Sequence, residues 1–379
     1  MLTDSKLLNQ TVVNSTLIAE LETVIARELA PCVRNIDAKG EYPRAFMHQV
    51  GALGGFGQAV PSRYGGSANS LKGSIQAIEA ISKECLSTGF IAWCQIACTW
   101  YIQNSGNEYL KQNILPPIAK GERLAGTGLS NPMKHFAGIE KIALVAERCA
   151  GGYVLNGLLP WVSNVGAGHY FAIAAKLSDA PEDTYLMAIV SDEFKGLTLR
   201  ADAHFIALEG SNTFSCGFKN VFVPGQFILA APCEDYVACI RPGFILTQVG
   251  MGLGLVASCI ELMKRANRRL HHVNCFLDDQ AGDLEADLEA LRVKTYALAD
   301  AITARDSLGR TLLKEVIQAR IEASELSLRA SNAAMLHVGA RGYLQGSTAE
   351  RKLRESYFVA IVTPALKHLK KMLYGMSEV

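Results

Sequence analysis

The chain has 379 residues, 49% of them hydrophobic and 19% charged, and a formal net charge of +1. So much apolar residue excludes a disordered protein, and near-neutrality without a basic stripe excludes a nucleic acid held by its phosphates. At roughly 100–200 residues per domain, two or three domains are expected.

The first third is helical in pattern. LIAELETVIARELAPCV, LKGSIQAIEAISKEC and FIAWCQIACTWYIQNSG each carry apolar residues at spacings of three and four. Between them, the glycines and Pro61 of GALGGFGQAVPSRYGG predict a loop. The period then shortens: IALVAER, GYVLNG, HYFAIAAKL, TYLMAIVS and FKNVFVP are β-rich runs parted by Gly, Asn, Asp and Pro. After Arg241 helices return. Leu284, Leu288, Leu291 and Leu298 fall on one face, and a second long helical pattern runs to the glycines of HVGARG. The expected organisation is residues 1–122 helical, 123–234 a small β domain and 235–379 helical.

No apolar run approaches the ~20 residues of a bilayer span, and MLTDSKLLNQTVV lacks the pattern of a secretion signal, so a soluble, cytoplasmic protein is expected. The ten cysteines are scattered without CxxC pairs, so no metal site is expected; Cys94 and Cys98, one helical turn apart, read as core packing. Gly250, Gly252 and Gly254 in VGMGLGLV lack the strand and downstream acid of a dinucleotide loop, and close helix crossing explains them better. His271 and His272 are adjacent and so point about 100° apart on a helix, which makes no metal face. GxSxG, HExxH and P-loop patterns do not occur.

Trp161 in GGYVLNGLLPWVSNVGAG admits two readings. It is a tryptophan buried in the β domain, or a flat cover for one face of a planar heterocycle, with Ser163 two residues on pointing to the same side of the strand. The second geometry suits a flavin.

Several segments, in order and spacing, resemble the acyl-CoA dehydrogenase superfamily over essentially the whole chain. LGGFGQAVPSRYGG and SIQAIEAISKE resemble its first-domain loop and helix; LSNP at 129–132 resembles (V/L)-T-E-P; GYVLNGLLPWVSN resembles G-Y-x-(I/L)-N-G-x-K-x-W-(I/V)-(T/S)-N. NVFVP resembles the strand leaving the β domain, and HVGARGYLQGSTAERKLRES resembles the glycine turn and R-D-A segment.

The resemblance implies an α+β fold: an N-terminal helical domain, a central small β-barrel or sandwich and a C-terminal four-helix bundle. It implies FAD, with Trp161 and Ser163 against the isoalloxazine ring, Leu129 and Ser130 giving backbone and hydroxyl contacts, and Gly339 and Gly342 admitting the ADP portion across a subunit interface. A homodimer or homotetramer follows from that shared site.

Three departures stand out. Counting from Arg354, the family's catalytic glutamate falls on Thr363, and the alternative position, sought between Leu262 and Leu277, holds no acid. His135, Phe136 and Ala137 occupy the register of the family's G-S-D. RRLHHVNCFLDDQ matches the adenine-binding segment poorly, with Phe276 and Gln280 too close together. His135, His271 and His272 are left as candidate bases because imidazole titrates near neutrality.

The primary expectation is an FAD-dependent oxidation of the CH–CH bond of an acyl thioester, passing electrons to an external acceptor. The alternatives are a flavin-dependent monooxygenase served by a flavin reductase, which needs no carboxylate at Thr363, and a non-catalytic flavin-binding paralogue.

Overall fold

The computed structural model describes residues 16–68, 70–180, 183–304 and 309–376. Residues 16–39 form one helical stretch, α1, with a π turn at Ile25–Leu29 and a 3-10 turn at Ala30–Cys32. Pro31 sits in the 3-10 turn, where its missing N–H would interrupt a regular helix. Next come α2 (Arg44–Ala52), α3 (Leu71–Glu84), α4 (Leu86–Asn104) and α5 (Leu115–Ala119). Only Cys85, in extended conformation, parts α3 from α4. Residues Leu86 to Ile102 of α4 are all buried, as expected of a helix apolar on every side.

Strands β1 (Ala125–Thr127), β2 (Leu144–Cys149), β3 (Gly152–Val162), β4 (Tyr170–Leu177), β5 (Tyr185–Ser191), β6 (Leu197–Arg200), β7 (Phe214–Pro224) and β8 (Ile228–Ala230) follow, with the short helix α6 (Ser130–Phe136) after β1. They join in one connected path, β6-β7-β3-β2-β4-β5-β8, and β1 pairs with β4. The β1–β4 and β2–β4 pairs are parallel and the rest antiparallel. The five β-rich runs of the sequence became β2, β3, β4, β5 and β7; three-residue β1 and β8, four-residue β6 and helix α6 had no periodic signal.

The C-terminal region holds α7 (Glu234–Thr247), α8 (Val249–Asn274), α9 (Ala281–Ala304), α10 (Arg310–Val338), α11 (Thr348–Ile361) and α12 (Leu366–Gly375). The four leucines expected on one face of α9 are all buried. Within 234–274 lies a stretch apolar enough to cross a membrane by composition, contrary to the expectation from the sequence, but 89% of it is buried inside the protein.

The two helical regions are not separate in space. α3 lies along α8, and α4 along α7. A Cβ on Gly250 would stand 2.8 Å from the Ile75 carbonyl oxygen, and one on Gly254 2.3 Å from that of Glu79, so both glycines let α8 close on α3. Gly252 faces α10, where a Cβ would lie 3.1 Å from Ala323. This is the helix crossing expected of VGMGLGLV. Cys94 and Cys98 are buried in α4, as free thiols, and among the described residues no cluster of His, Cys, Asp or Glu is arranged for a metal.

Candidate functional site

A cavity of about 990 Å3 opens where the β strands meet α4, α7, α11 and α12. Its strand side begins at β3. Period-two alternation puts Trp161 and Ser163 on the cavity with Val162 buried between them. Ser163 pairs with Thr127, N to O at 3.2 Å and O to N at 3.1 Å, so both hydroxyl side chains line the same wall. Gly126 permits this approach, since a Cβ there would sit 2.1 Å from the Ser163 carbonyl oxygen.

Trp161 is 45% exposed and tilts against Phe205 at a centroid distance of 5.8 Å. The alternative of a buried β-domain tryptophan is thereby corrected: the indole has a free face, and it turns toward the cavity. Ser163 receives a 2.9 Å hydrogen bond from Thr213 Oγ1, whose own oxygen lies 2.8 Å from Ser211 Oγ. With Thr213 donating to Ser163, the Ser163 proton is left to donate to a further acceptor.

Asn164 holds this turn. It is fully buried at φ +58°, a conformation asparagine tolerates better than most residues. Its Oδ1 accepts from Tyr42 Oη at 2.6 Å, its Nδ2 donates to Ala125 O at 2.8 Å, and its carbonyl oxygen is 3.0 Å from His169 Nδ1. Gln95 on α4 fixes β1 from the other side, accepting from Ala125 N at 2.6 Å.

The opposite wall is helical. Phe90 and Trp93 of α4, Phe244 of α7 and Phe358 of α11 form an apolar end; Trp93 is edge-on to Phe244 at 5.3 Å, and Phe90 to Phe358 at 4.6 Å. Beyond α11 the wall continues through Ala360, Ile361, Val362 and Thr363. The Thr363 hydroxyl lies 3.0 Å from Ser130 Oγ, and its carbonyl accepts from Gln248 Nε2 at 2.9 Å. Thr363, the residue reached by counting from Arg354, thus lines the cavity. No residue of the stretch 262–277 searched for an acid is on the cavity lining, to which the first two C-terminal helices contribute Phe244.

Ser130, Trp161 and Ser163 thus come together on the cavity, whereas Leu129 is buried and off its lining, its N–H donating to Thr127 Oγ1 at 3.4 Å. Gly339 and Gly342 are not on this cavity. Gly339 ends α10 at φ +67° with open space at its Cβ position, and Gly342 packs against Ala349 and Val338.

None of the histidines proposed as a base lines the cavity. His135 is engaged with the Glu140 carbonyl at 3.1 Å, and His271 and His272 are exposed on α8. The histidine that does line it is His368, five residues after Thr363, where no motif or spacing singles it out. Its Nδ1 accepts from Ala365 N at 3.3 Å, which leaves the proton of the neutral ring on Nε2 and makes it a donor rather than a base. Burial, with Lys367 and Lys134 nearby, lowers its pKa and keeps it neutral.

Glu140 is the carboxylate on the lining. Burial raises its pKa, but bonds from Lys134 and Asn131, both 2.8 Å, outweigh burial and hold it ionised below the usual range. Of the three lysines on the adjoining lip, Lys134 is paired with Glu140 at 2.8 Å and Lys370 with Glu325 at 2.6 Å, and the third is Lys367. In the segment doubted for adenine binding, Phe276 is 85% exposed and Gln280 Nε2 is used within its own turn, bonding Asn274 O and Leu277 O.

Residues 14–122 match the family model described as acyl-CoA dehydrogenase, N-terminal domain. Over 379 aligned positions the chain is 24% identical to the short-chain specific acyl-CoA dehydrogenase of Clostridium acetobutylicum, covering 96% of this chain and 98% of that one. The fold is similar to butyryl-CoA dehydrogenase from Megasphaera elsdenii, with TM-score 0.86, 19% identity, and 97% and 98% of the two chains covered. It is also similar to KijD3 in complex with FMN and a dTDP-linked amino-keto sugar, with TM-score 0.81, 19% identity, and 97% and 94% covered.

Proposed function

The chain belongs to the acyl-CoA dehydrogenase superfamily, and on that premise we propose that it is an FAD-dependent oxidoreductase acting on the CH–CH bond of an acyl thioester. The observation that carries the proposal is a single cavity with two kinds of lining: the free indole face of Trp161 with the hydroxyls of Ser130, Ser163 and Thr127, and an apolar end of Phe90, Trp93, Phe244 and Phe358.

The lining fits a flavin. The indole covers one face of a planar ring, Ser163 has a proton to donate, and Ser130 borders the ring from α6, with the buried Leu129 next to it in sequence. FAD, when bound, supplies a two-electron acceptor. The four aromatic side chains receive the acyl chain and exclude water from it. The α-proton goes to Glu140, the one carboxylate on the lining; its tie to Lys134 and Asn131 weakens it as a base, so the step is slow. Gly339 and Gly342 serve the ADP portion from a partner subunit in a homo-oligomer, and the exposed Tyr343 and Leu344 beside them suit burial against a second copy.

One observation favours a second reading. Thr363 and Ser130 place a hydroxyl pair on the wall, and a hydroxyl is too weak a base to take an α-proton without a partner. A flavin-dependent monooxygenase needs no base there. Anaerobic titration of FAD-loaded protein with a panel of acyl-CoAs decides between them. Bleaching of the flavin bands, lost in Glu140→Gln, supports dehydrogenation; a flavin reduced by dithionite but by no acyl-CoA supports the monooxygenase.

A further inference from the structure

Arg320 on α10 is fully buried, and among the described residues its guanidinium has no carboxylate partner. Its Nε donates to Gln248 Oε1 at 3.0 Å, Nη1 to Ser324 Oγ and Nη2 to the Val359 carbonyl. Gln248, also fully buried, passes the connection on through its Nε2, which donates to Thr363 O at 2.9 Å. Arg320 therefore grips both ends of the wall segment 359–363, directly at Val359 and through one amide at Thr363. Burial lowers its pKa to about 10, which still leaves it charged at neutral pH.

A lone buried charge is destabilising, and a leucine or methionine would fill the same space without that cost. Its three acceptors are two neutral side chains and the carbonyl of Val359, which lies in the last turn of α11, where the helix C-terminus favours a cation. That turn runs directly into the cavity wall at Ala360, Ile361, Val362 and Thr363, so the charge sits behind the wall.

We propose that Arg320 is a positioning residue: through Gln248 it fixes Thr363 on the wall, and its unpaired charge makes that wall favour negative charge on the bound ring. This rests on the flavin reading above. Two-electron reduction of bound FAD with uptake of one proton leaves one negative charge on the ring, so its midpoint potential reports the effect of the buried cation.

The test compares Arg320→Lys, Arg320→Met and Gln248→Met in two measurements. The first is the midpoint potential of FAD-loaded protein. Arg320→Lys keeps it near that of the parent, Arg320→Met lowers it, and Gln248→Met, which retains the charge, shifts it less than Arg320→Met. The second is amide hydrogen exchange at Thr363, Ala365 and Leu366 without FAD, which rises at least tenfold in Gln248→Met. A folded Arg320→Met with the parent's potential overturns the inference. If Arg320→Met does not fold, parental exchange in Gln248→Met overturns it instead. Failure of the parent protein to take up FAD refutes the flavin reading, and the exchange measurement still decides the positioning role.

Discussion

The hydroxyls of Ser130 and Thr363, 233 positions apart in the chain, lie 3.0 Å from one another on the cavity wall. The contact joins the first turn of α6 to the segment between α11 and α12. Thr363 is also the position to which the count from Arg354 assigns the catalytic glutamate of the family that the sequence resembles.

Thr363→Glu is expected to raise the rate at which acyl-CoA bleaches bound FAD by at least ~10², the lower end of what a positioned base contributes. Stopped-flow absorbance under anaerobic conditions measures it. An unchanged rate would mean that the wall does not face the reacting carbon.

Trp161→Ala combined with Ser163→Ala removes the flat cover and the hydroxyl donor together. A stacked aromatic contributes ~0.5–1.5 kcal/mol and a hydrogen bond about 1 kcal/mol, so FAD affinity should fall roughly 10- to 70-fold. Titration of apoprotein with FAD, with the visible spectrum recorded, checks the result; parental affinity and spectrum would remove both residues from the site.

Asn164→Ala leaves Tyr42 and the Ala125 carbonyl without their buried partner and forces alanine to φ +58°. Buried unsatisfied groups cost about 1–3 kcal/mol, so a loss near 3 kcal/mol is expected. Urea denaturation should show it as a lower midpoint. FAD binding should weaken too, because Ser163 precedes the turn.

Glu355→Gln breaks a buried ionic cluster. Glu355 pairs with Lys352 at 3.0 Å and Arg351 at 3.1 Å and accepts from Leu86 N, while Lys352 Nζ and Arg351 Nη1 bond carbonyls at the end of α3. Loss of one partner from such a cluster costs about 3–5 kcal/mol. Burial alone would raise the Glu355 pKa, but Lys352 and Arg351 bring it below its ordinary value of 4.5. The stabilisation is therefore complete above pH 4.5 and disappears as the pH falls through the lower, folded-state pKa. The stability difference between parent and variant should be constant near neutrality and shrink on acidification; a difference independent of pH would contradict the assignment.

The legible part of the fold and site was the part written locally. Alternation along β3 placed Trp161 and Ser163 on one side, and the count from Arg354 led to a residue on the cavity wall, since α11 runs unbroken to Ile361. β1 was not legible, since AGT has no alternation; it is held by the Gln95 side chain and by β4, 30 and more residues away. The same applies to His368, Gln248 and Arg320. Their significance lies in contacts that span α7, α10 and α12, and no spacing in the sequence records them.

The glycine-lined closure of α8 on α3 also bears on synthesis. α3 ends at Glu84 and α8 begins at Val249, so at ribosomal rates of about 5–20 residues per second the first helix waits roughly ten to thirty seconds for its partner. During that interval the face bearing Ile75, Ile78 and Ile81, buried in the finished protein, has nothing to cover it. The nascent chain should therefore depend on chaperones until residue 274 has emerged, even though its β strands are already complete.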